Sequence, residues 1–398
     1  MSYRTSVADD IAQAAERLAR AAPVELNEDW AASKLADAVQ PLVHSDPLIQ
    51  TLASSTGLHE AMVRWGLETT LRSVTVEALT AIRHRAGLYF FGEVNRASLC
   101  SVVLAGNVFT ACVKAILVPL LLEVPVLLRP SSGDDGLAHA IADALPPPYD
   151  QAIAIASFPR DDEAAWRAFF ARADAVHAYG SDDTLSLLRA KVPVRASFVG
   201  HGHGAGVAVL ADLSELSEQA RRVALDVAAY DQRGCMSPER VFVLGGHAEA
   251  RRFARALSHA LEALEVELPR GDLNAETRVA CTTWRATSAA LAEVLEGSTH
   301  AVAIEHEHPL PRTPGFRHIS VAAVADPGAL QNVLAPYGHH LKVLGWGPDD
   351  ESAHATITSA LPQGTAPILA RLGTMQTPPF DVPADGRPLT EGLLWLLG

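Results

Sequence analysis

The chain has 398 residues, 48% hydrophobic and 20% charged, with a formal net charge of −14. That is an ordinary balance for a soluble globular protein long enough to bury two sizeable cores. An acidic chain without a basic tract excludes nucleic acid as the main partner. The most apolar stretch, 115–128, carries Pro119, Glu123 and Pro125 and is too short for a membrane span. Four cysteines, Cys100, Cys112, Cys235 and Cys281, lie far apart with no Cys-x-x-Cys pair, which reads as reduced thiols in a cytoplasmic compartment. The opening Met1-Ser2-Tyr3-Arg4 leads into a polar helical pattern rather than a signal peptide.

Residues 8–90 read as largely helical, with apolar residues recurring at three and four, as Ile11, Ala14 and Leu18 do. From about residue 95 strands and helices alternate. Strands are expected at 101–104, 124–129, 152–156 and 175–179, and helices at 109–122, 134–145 and 163–172. A second set follows, with strands at 206–210 and 240–244 and helices at 216–229 and 248–264. The stretch 267–316 is less regular. Strand, helix and strand return at 316–324, 329–334 and 341–346, and the tail 373–398 is rich in Pro and Gly. No internal repeat or low-complexity segment interrupts the pattern. Short strands separated by helices predict an α/β fold with parallel sheets covered on both faces.

In such sheets ligands bind beyond the carboxyl ends of the strands. That points to the loops around Gly106-Asn107, Arg129-Pro130-Ser131-Ser132, Gly180-Ser181 and His201-Gly202-His203. No Gly-x-Gly-x-x-Gly follows the first strand, so an ordinary Rossmann dehydrogenase is disfavoured. Cys235 follows Gly234 between a helix and a strand, a setting for an uncrowded nucleophilic thiol. A buried inert thiol is the bland alternative, and it is the reading preferred for Cys100, Cys112 and Cys281. His201 and His203 give two ligands on a Gly-rich loop without a third, so no metal is expected. His306 and His308 read as a solvated loop. Arg317 and Lys342 read as solvated surface, with a phosphate contact as the alternative, and Asn107 doubles as a candidate N-cap for the helix at Phe109.

Taken in order, five motifs resemble the aldehyde dehydrogenase superfamily and, within it, the acyl-CoA reductase family of bacterial bioluminescence. They are Leu104-Ala105-Gly106-Asn107-Val108, Leu128-Arg129-Pro130-Ser131-Ser132, Tyr179-Gly180-Ser181, Asp231-Gln232-Arg233-Gly234-Cys235-Met236-Ser237-Pro238, and a tail containing Gly373-Thr374-Met375, Pro378-Pro379-Phe380 and Asp385-Gly386-Arg387-Pro388-Leu389. The resemblance implies two Rossmann-like parallel-sheet domains. A helical N-terminal region and cofactor domain would span 1–204, a catalytic domain 205–345, and a segment returning to the cofactor domain 346–398. It implies Cys235 as nucleophile and Asn107 as donor to the carbonyl oxygen. Arg129 (where the family has Lys), Ser131, Ser132, Gly180 and Ser181 would contact a nicotinamide cofactor. Arg129 and the two serines favour NADPH, with NADH as the alternative. Phe198 stands where hydrolytic relatives carry a water-activating Glu, which favours reduction of a fatty acyl-CoA or acyl-carrier thioester to aldehyde over oxidation to a free acid. A homo-oligomer is expected by the same analogy. The alternatives are an acyl-phosphate reductase of the glutamyl phosphate reductase type and a non-catalytic scaffold.

Overall fold

The computed structural model describes residues 6–20, 28–88, 94–131, 136–306, 309–383 and 386–396. The chain forms two compact units: 1–56 with 67–203 and 379–398, and 57–66 with 204–378. The segment 205–345 lies within the second unit, which runs on to Pro378, and the return to the first unit begins at Pro379. In chain order the strands of the first unit are β1 (Val94–Arg96), β2 (Cys100–Val103), β3 (Val126–Arg129), β4 (Ile153–Ile155), β5 (Ala175–Tyr179) and β6 (Ser197–His201). The second unit contains β7 (Ala205–Leu210), β8 (Pro238–Leu244), β9 (Glu293–Glu296), β10 (Ala301–Ile304), β11 (His318–Val324), β12 (Leu341–Gly347) and β13 (Ile368–Arg371). The chain ends with β14 (Leu394–Leu396) in the first unit.

In the first unit β4-β3-β2-β5-β6 make a parallel sheet. Strands β2 and β3 are buried along their whole length, as expected where helices cover both faces. The amphipathic helix Val7–Arg20 buries Ile11, Ala15 and Leu18, joining Phe158, Trp166, Phe169 and Phe170 in one apolar cluster. The helix Ala111–Leu121 is apolar almost all round and buried. Its N-cap is Thr110 rather than Asn107, so the asparagine is not needed to start that helix. The tail is held onto β5 and β6: Arg387 donates to Gly200 O at 2.8 Å, and His177 Nε2 lies 3.0 Å from Glu391 O. Strand β14 pairs antiparallel with β1.

The second unit is a seven-stranded sheet, β13-β12-β7-β8-β11-β10-β9, parallel except for β9 at one edge. Helices Leu216–Ala228 and His247–Leu264 contribute to the core on one face, around Val223, Phe253 and Leu257. Helices Pro327–Leu334 and Glu351–Ser359 contribute to the other, around Leu330, Trp346 and Ile357. The stretch 267–316, irregular to a periodicity reading, contains the helix Ala275–Leu291 and both β9 and β10. That helix buries Cys281, Trp284 and Ser288 among alanines and threonines, too little apolar contrast to stand out.

Gly206 on β7 lies where a side chain does not fit. A Cβ there would meet Met236 O at 2.4 Å and Ser237 O at 2.7 Å, both of them backbone. Gly206→Ala is expected to destabilise the second unit by about 1–3 kcal/mol, the usual cost of overpacking. Urea unfolding checks this, and a midpoint equal to wild type would refute it.

Candidate active site

Cys235 is exposed, and Cys100, Cys112 and Cys281 are buried; none is in a disulfide. Burial raises the Cys100 thiol to about 12 and also raises Cys281, so both stay protonated at neutral pH. The four thiols therefore divide as the sequence suggested.

The chain arrives at Cys235 through an unusual run of backbone. After the helix Leu216–Ala228, Tyr230, Asp231 and Gln232 take φ values of 52°, 52° and 59°. Left-handed conformations at three successive non-glycine residues cost free energy at each and need outside support. Tyr230 N–H lies 3.2 Å from Met62 Sδ, and its ring meets Trp65 edge-on at 5.6 Å. The Gln232 amide donates to Pro238 O at 2.8 Å and to His318 O at 2.9 Å, bridging the starts of β8 and β11. Gly315, itself at φ 80°, packs so closely that a Cβ would lie 3.0 Å from Gln232 O. A turn then carries Gly234 to Ser237, closed by Ser237 N–H to Gly234 O at 3.1 Å.

Asp231 is buried and anchored twice. Arg317 Nη2 donates to its Oδ1 at 3.1 Å, and Gly271 N–H to its Oδ2 at 2.9 Å. Arg317 has no exposed surface. It also donates to Leu268 O at 2.7 Å and pairs with Glu265 at 2.5 Å. The reading of Arg317 as solvated surface or as a phosphate ligand is therefore wrong. Its guanidinium is consumed inside the unit, in contacts that arrive from distant parts of the sequence and leave no local signal.

Next to this pair, His318 donates from Nδ1 to Phe316 O at 2.9 Å and accepts at Nε2 from Arg285 at 2.9 Å. Acceptance at Nε2 requires the neutral ring. Burial first, and the Arg285 charge second, lower its pKa to about 4. Cys235, Arg317 and the His339-His340 pair, whose rings lie 3.9 Å apart, all precede strands of the second sheet. They belong to its amino edge, so the rule that ligands gather beyond the carboxyl ends of strands does not lead to Cys235.

The candidate residues of the first unit do follow strands of its sheet. Strand order reverses between β2 and β5, the position at which open α/β sheets bind ligands. Asn107 is exposed on the loop after β2. Gly106 on that loop backs onto the loop after β3: a Cβ would lie 2.7 Å from Ser131 Oγ. After β5, Gly180 leads to Ser181, which N-caps the helix Asp182–Arg189 by accepting from Thr184 N–H. Ser132, Asp134, His308 and Asp385 lie outside the described residues.

Arg129 does not stand as expected. Alternation along β3 puts it on the same face as Leu127, toward the aromatic cluster. Its Nη2 donates to Phe158 O at 2.8 Å, and the guanidinium lies 4.8 Å and 4.9 Å from the Phe158 and Trp166 ring centroids. Among the described residues no group of three or more His, Cys, Asp or Glu is arranged to hold a metal, and no helix is long and apolar enough to cross a membrane.

A family model described as acyl-CoA reductase (LuxC) matches residues 31–391. Curated relatives include the long-chain acyl-protein thioester reductase of Aliivibrio fischeri, 24% identical over 233 residues, which are 56% of this chain and 48% of that protein. The corresponding reductase of Vibrio harveyi is 29% identical over 174 residues, 42% of this chain and 36% of that protein. The chain thus spans about half or less of the curated relatives it matches. Among solved structures, an NAD-dependent benzaldehyde dehydrogenase from Corynebacterium glutamicum aligns with a TM-score of 0.72 at 14% identity, covering 93% of this chain and 87% of that one. An aldehyde dehydrogenase from Brucella melitensis biovar abortus aligns with a TM-score of 0.73 at 13% identity, covering 92% and 82%. The fold is that of the aldehyde dehydrogenases, as the motif order implied.

Two predictions follow from this geometry. In the native protein iodoacetamide should label Cys235 alone, and the other three cysteines should react only on unfolding; mass mapping of labelled peptides checks this. His318 has a pKa below its unfolded value, so the native state holds fewer protons on it than the unfolded chain between about pH 6.5 and 4. Its contribution to stability is complete above that window and is lost as pH falls through it. The melting temperature of the protein should drop across the window, by less in His318→Gln, and parallel pH profiles for the two proteins would contradict the assignment.

Proposed function

The chain belongs to the acyl-CoA reductase (LuxC) family, and from that premise we propose that it reduces a long-chain acyl thioester to the aldehyde through an acyl-cysteine at Cys235. The observation that carries the reading is the exposure of this one thiol on a loop held by buried groups. The Cys235 thiolate attacks the thioester carbonyl, and the donor leaves as a thiolate, so no strong general acid is needed. The Asn107 amide and the Cys235 N–H donate to the carbonyl oxygen as negative charge gathers there, one such donor being worth about 2.7–4 kcal/mol. Its exposure, and a helix start that does not depend on it, leave Asn107 available for that role. Phe198 on β6 provides no base to activate water, so the acyl-cysteine persists for reduction.

A nicotinamide cofactor would supply the hydride. The first unit suits one: its strand order reverses between β2 and β5, and the loops leaving those strands are small at Gly106 and Gly180. Asn107, Ser131, Ser132, Gly180 and Ser181 would line its seat. Asp182 and Asp183 in the first helical turn repel a phosphate placed directly at that N-terminus. NADPH is preferred for the hydroxyls at Ser131 and Ser132. Arg129 would have to release Phe158 O to take a 2′-phosphate, and with it held there NADH serves equally. The donor is acyl-CoA or an acyl group carried on a protein; the names of the curated relatives support the second.

The test is oxidation of NADPH and of NADH by the purified protein with short to long acyl-CoAs and with an acylated carrier protein. Aldehyde is expected, Cys235→Ala should abolish it, and Asn107→Ala should lower kcat by roughly 10²–10³. Turnover only with acyl phosphates would overturn the thioester reading. Absence of both turnover and cofactor binding would leave a scaffold of the same fold.

A further inference from the structure

We infer that Arg317 and Asp231 act as a positioning pair for the Cys235 nucleophile, an inference that rests on the role proposed for Cys235. Arg317 immediately precedes β11, and Asp231 lies four residues before the cysteine. Their ion pair joins the loops that enter the adjacent strands β8 and β11. A backbone bond runs beside it, from Phe316 N–H to Asp231 O at 3.0 Å. Both partners are in left-handed backbone, Asp231 at φ 52° and Arg317 at φ 65°, with Phe316 at 53°. Two strained segments thus face each other and are fastened through side chain and main chain alike.

The fastening extends to the loop before β10. Arg317 O accepts from Ala301 N–H at 3.1 Å, and Glu265 accepts from Arg317 at 2.5 Å and from Thr299 Oγ1 at 2.6 Å. Arg270 donates to Thr299 O. Three neighbouring strand entries are therefore referenced to one buried guanidinium. The cysteine follows Asp231 after only Gln232, Arg233 and Gly234, and Gln232 is itself pinned to Pro238 O and His318 O. A shift of Asp231 is passed on to Cys235 with little room to be absorbed. Left-handed backbone at non-glycine residues persists only where its surroundings over-determine it, and it clusters at functional sites.

The experiment uses Arg317→Lys and Asp231→Asn in the full chain, with Cys235→Ala as the blank and Asp226→Asn as a stability control. Asp226 is a buried acidic residue of the same unit, but it accepts from Gly373 N–H at 2.6 Å and Met375 N–H at 2.9 Å and not from Arg317. The readouts are melting temperature, the pH profile of iodoacetamide alkylation at Cys235, and kcat and KM for a long-chain acyl-CoA. Arg317→Lys keeps the charge but loses the fork that reaches Asp231 and Leu268 O together. It should lower kcat about a hundredfold, the scale of a ~1 Å misplacement, with KM nearly unchanged and the alkylation profile altered. Asp231→Asn should change the same readouts in the same direction. Asp226→Asn should lower the melting temperature and leave alkylation and kcat near wild type. Folded Arg317→Lys or Asp231→Asn protein with wild-type alkylation and kcat would overturn the inference, as would an equal loss in Asp226→Asn. Should Arg317→Lys not fold, Asp231→Asn decides alone. Turnover surviving in Cys235→Ala would defeat the catalytic reading itself and the positioning role with it, an outcome recognisable because it needs neither pair variant.

Discussion

A guanidinium removed from water must have its charge balanced and its protons accepted, or it costs several kcal/mol. Arg317 balances its charge with Asp231 and Glu265 and also donates to the Leu268 carbonyl, and its buried Nε is left without a hydrogen-bond partner. Both carboxylates are themselves committed elsewhere, Asp231 to Gly271 N–H and Glu265 to Thr299. Moving any one of them leaves a buried charge or polar group unpaired, so the set behaves as a unit. Replacing a buried ion pair with apolar side chains of similar size is often no loss in stability. What the charges add is directional: a hydrocarbon core would accept several orientations of the incoming loops, and the fork of an arginine accepts few.

The two units present their candidate residues in different ways. In the first, Asn107, Ser131 and Gly180-Ser181 follow strands of one parallel sheet, on loops made short and small by glycine and serine. In the second, the cysteine comes before a strand, at the end of a helix that finishes in left-handed backbone rather than a glycine cap. The first arrangement follows from topology, because a reversal of strand order opens a crevice. The second depends on a particular set of buried contacts.

That contrast also explains how far the sequence could be read. Strand β5 was legible to the residue and β2, β3, β7 and β12 to within two, since short apolar runs bounded by polar turns are local signals. The exposure of Cys235 was legible because Gly234 and the flanking elements are local as well. The helix Ala275–Leu291 was not, its buried face being Cys281, Trp284 and Ser288 among small residues. Arg317 was misread because its partners lie 49, 52 and 86 residues away, and nothing beside it in the chain marks burial. Arg129 is the instructive intermediate. Alternation along β3 puts Arg129 on the same face as buried Leu127, but the motif suggested a cofactor contact.

The first unit is assembled from separated lengths of chain, and β1 finds its partner β14 only at the far end of the sequence. Arg387 and Glu391, which meet Gly200 and His177, come equally late. On the ribosome this gives an order of events. The residues of the second unit are nearly all synthesised before the first unit can be finished, although most of the first was made earlier. A growing chain therefore carries an incomplete sheet assembly, with β1 unpaired and the ends of β5 and β6 uncapped, until the stretch after Pro379 has emerged. A chain truncated before Pro379 would keep those backbone groups open to pairing with other chains, so the segment from Pro379 on is what closes the first unit.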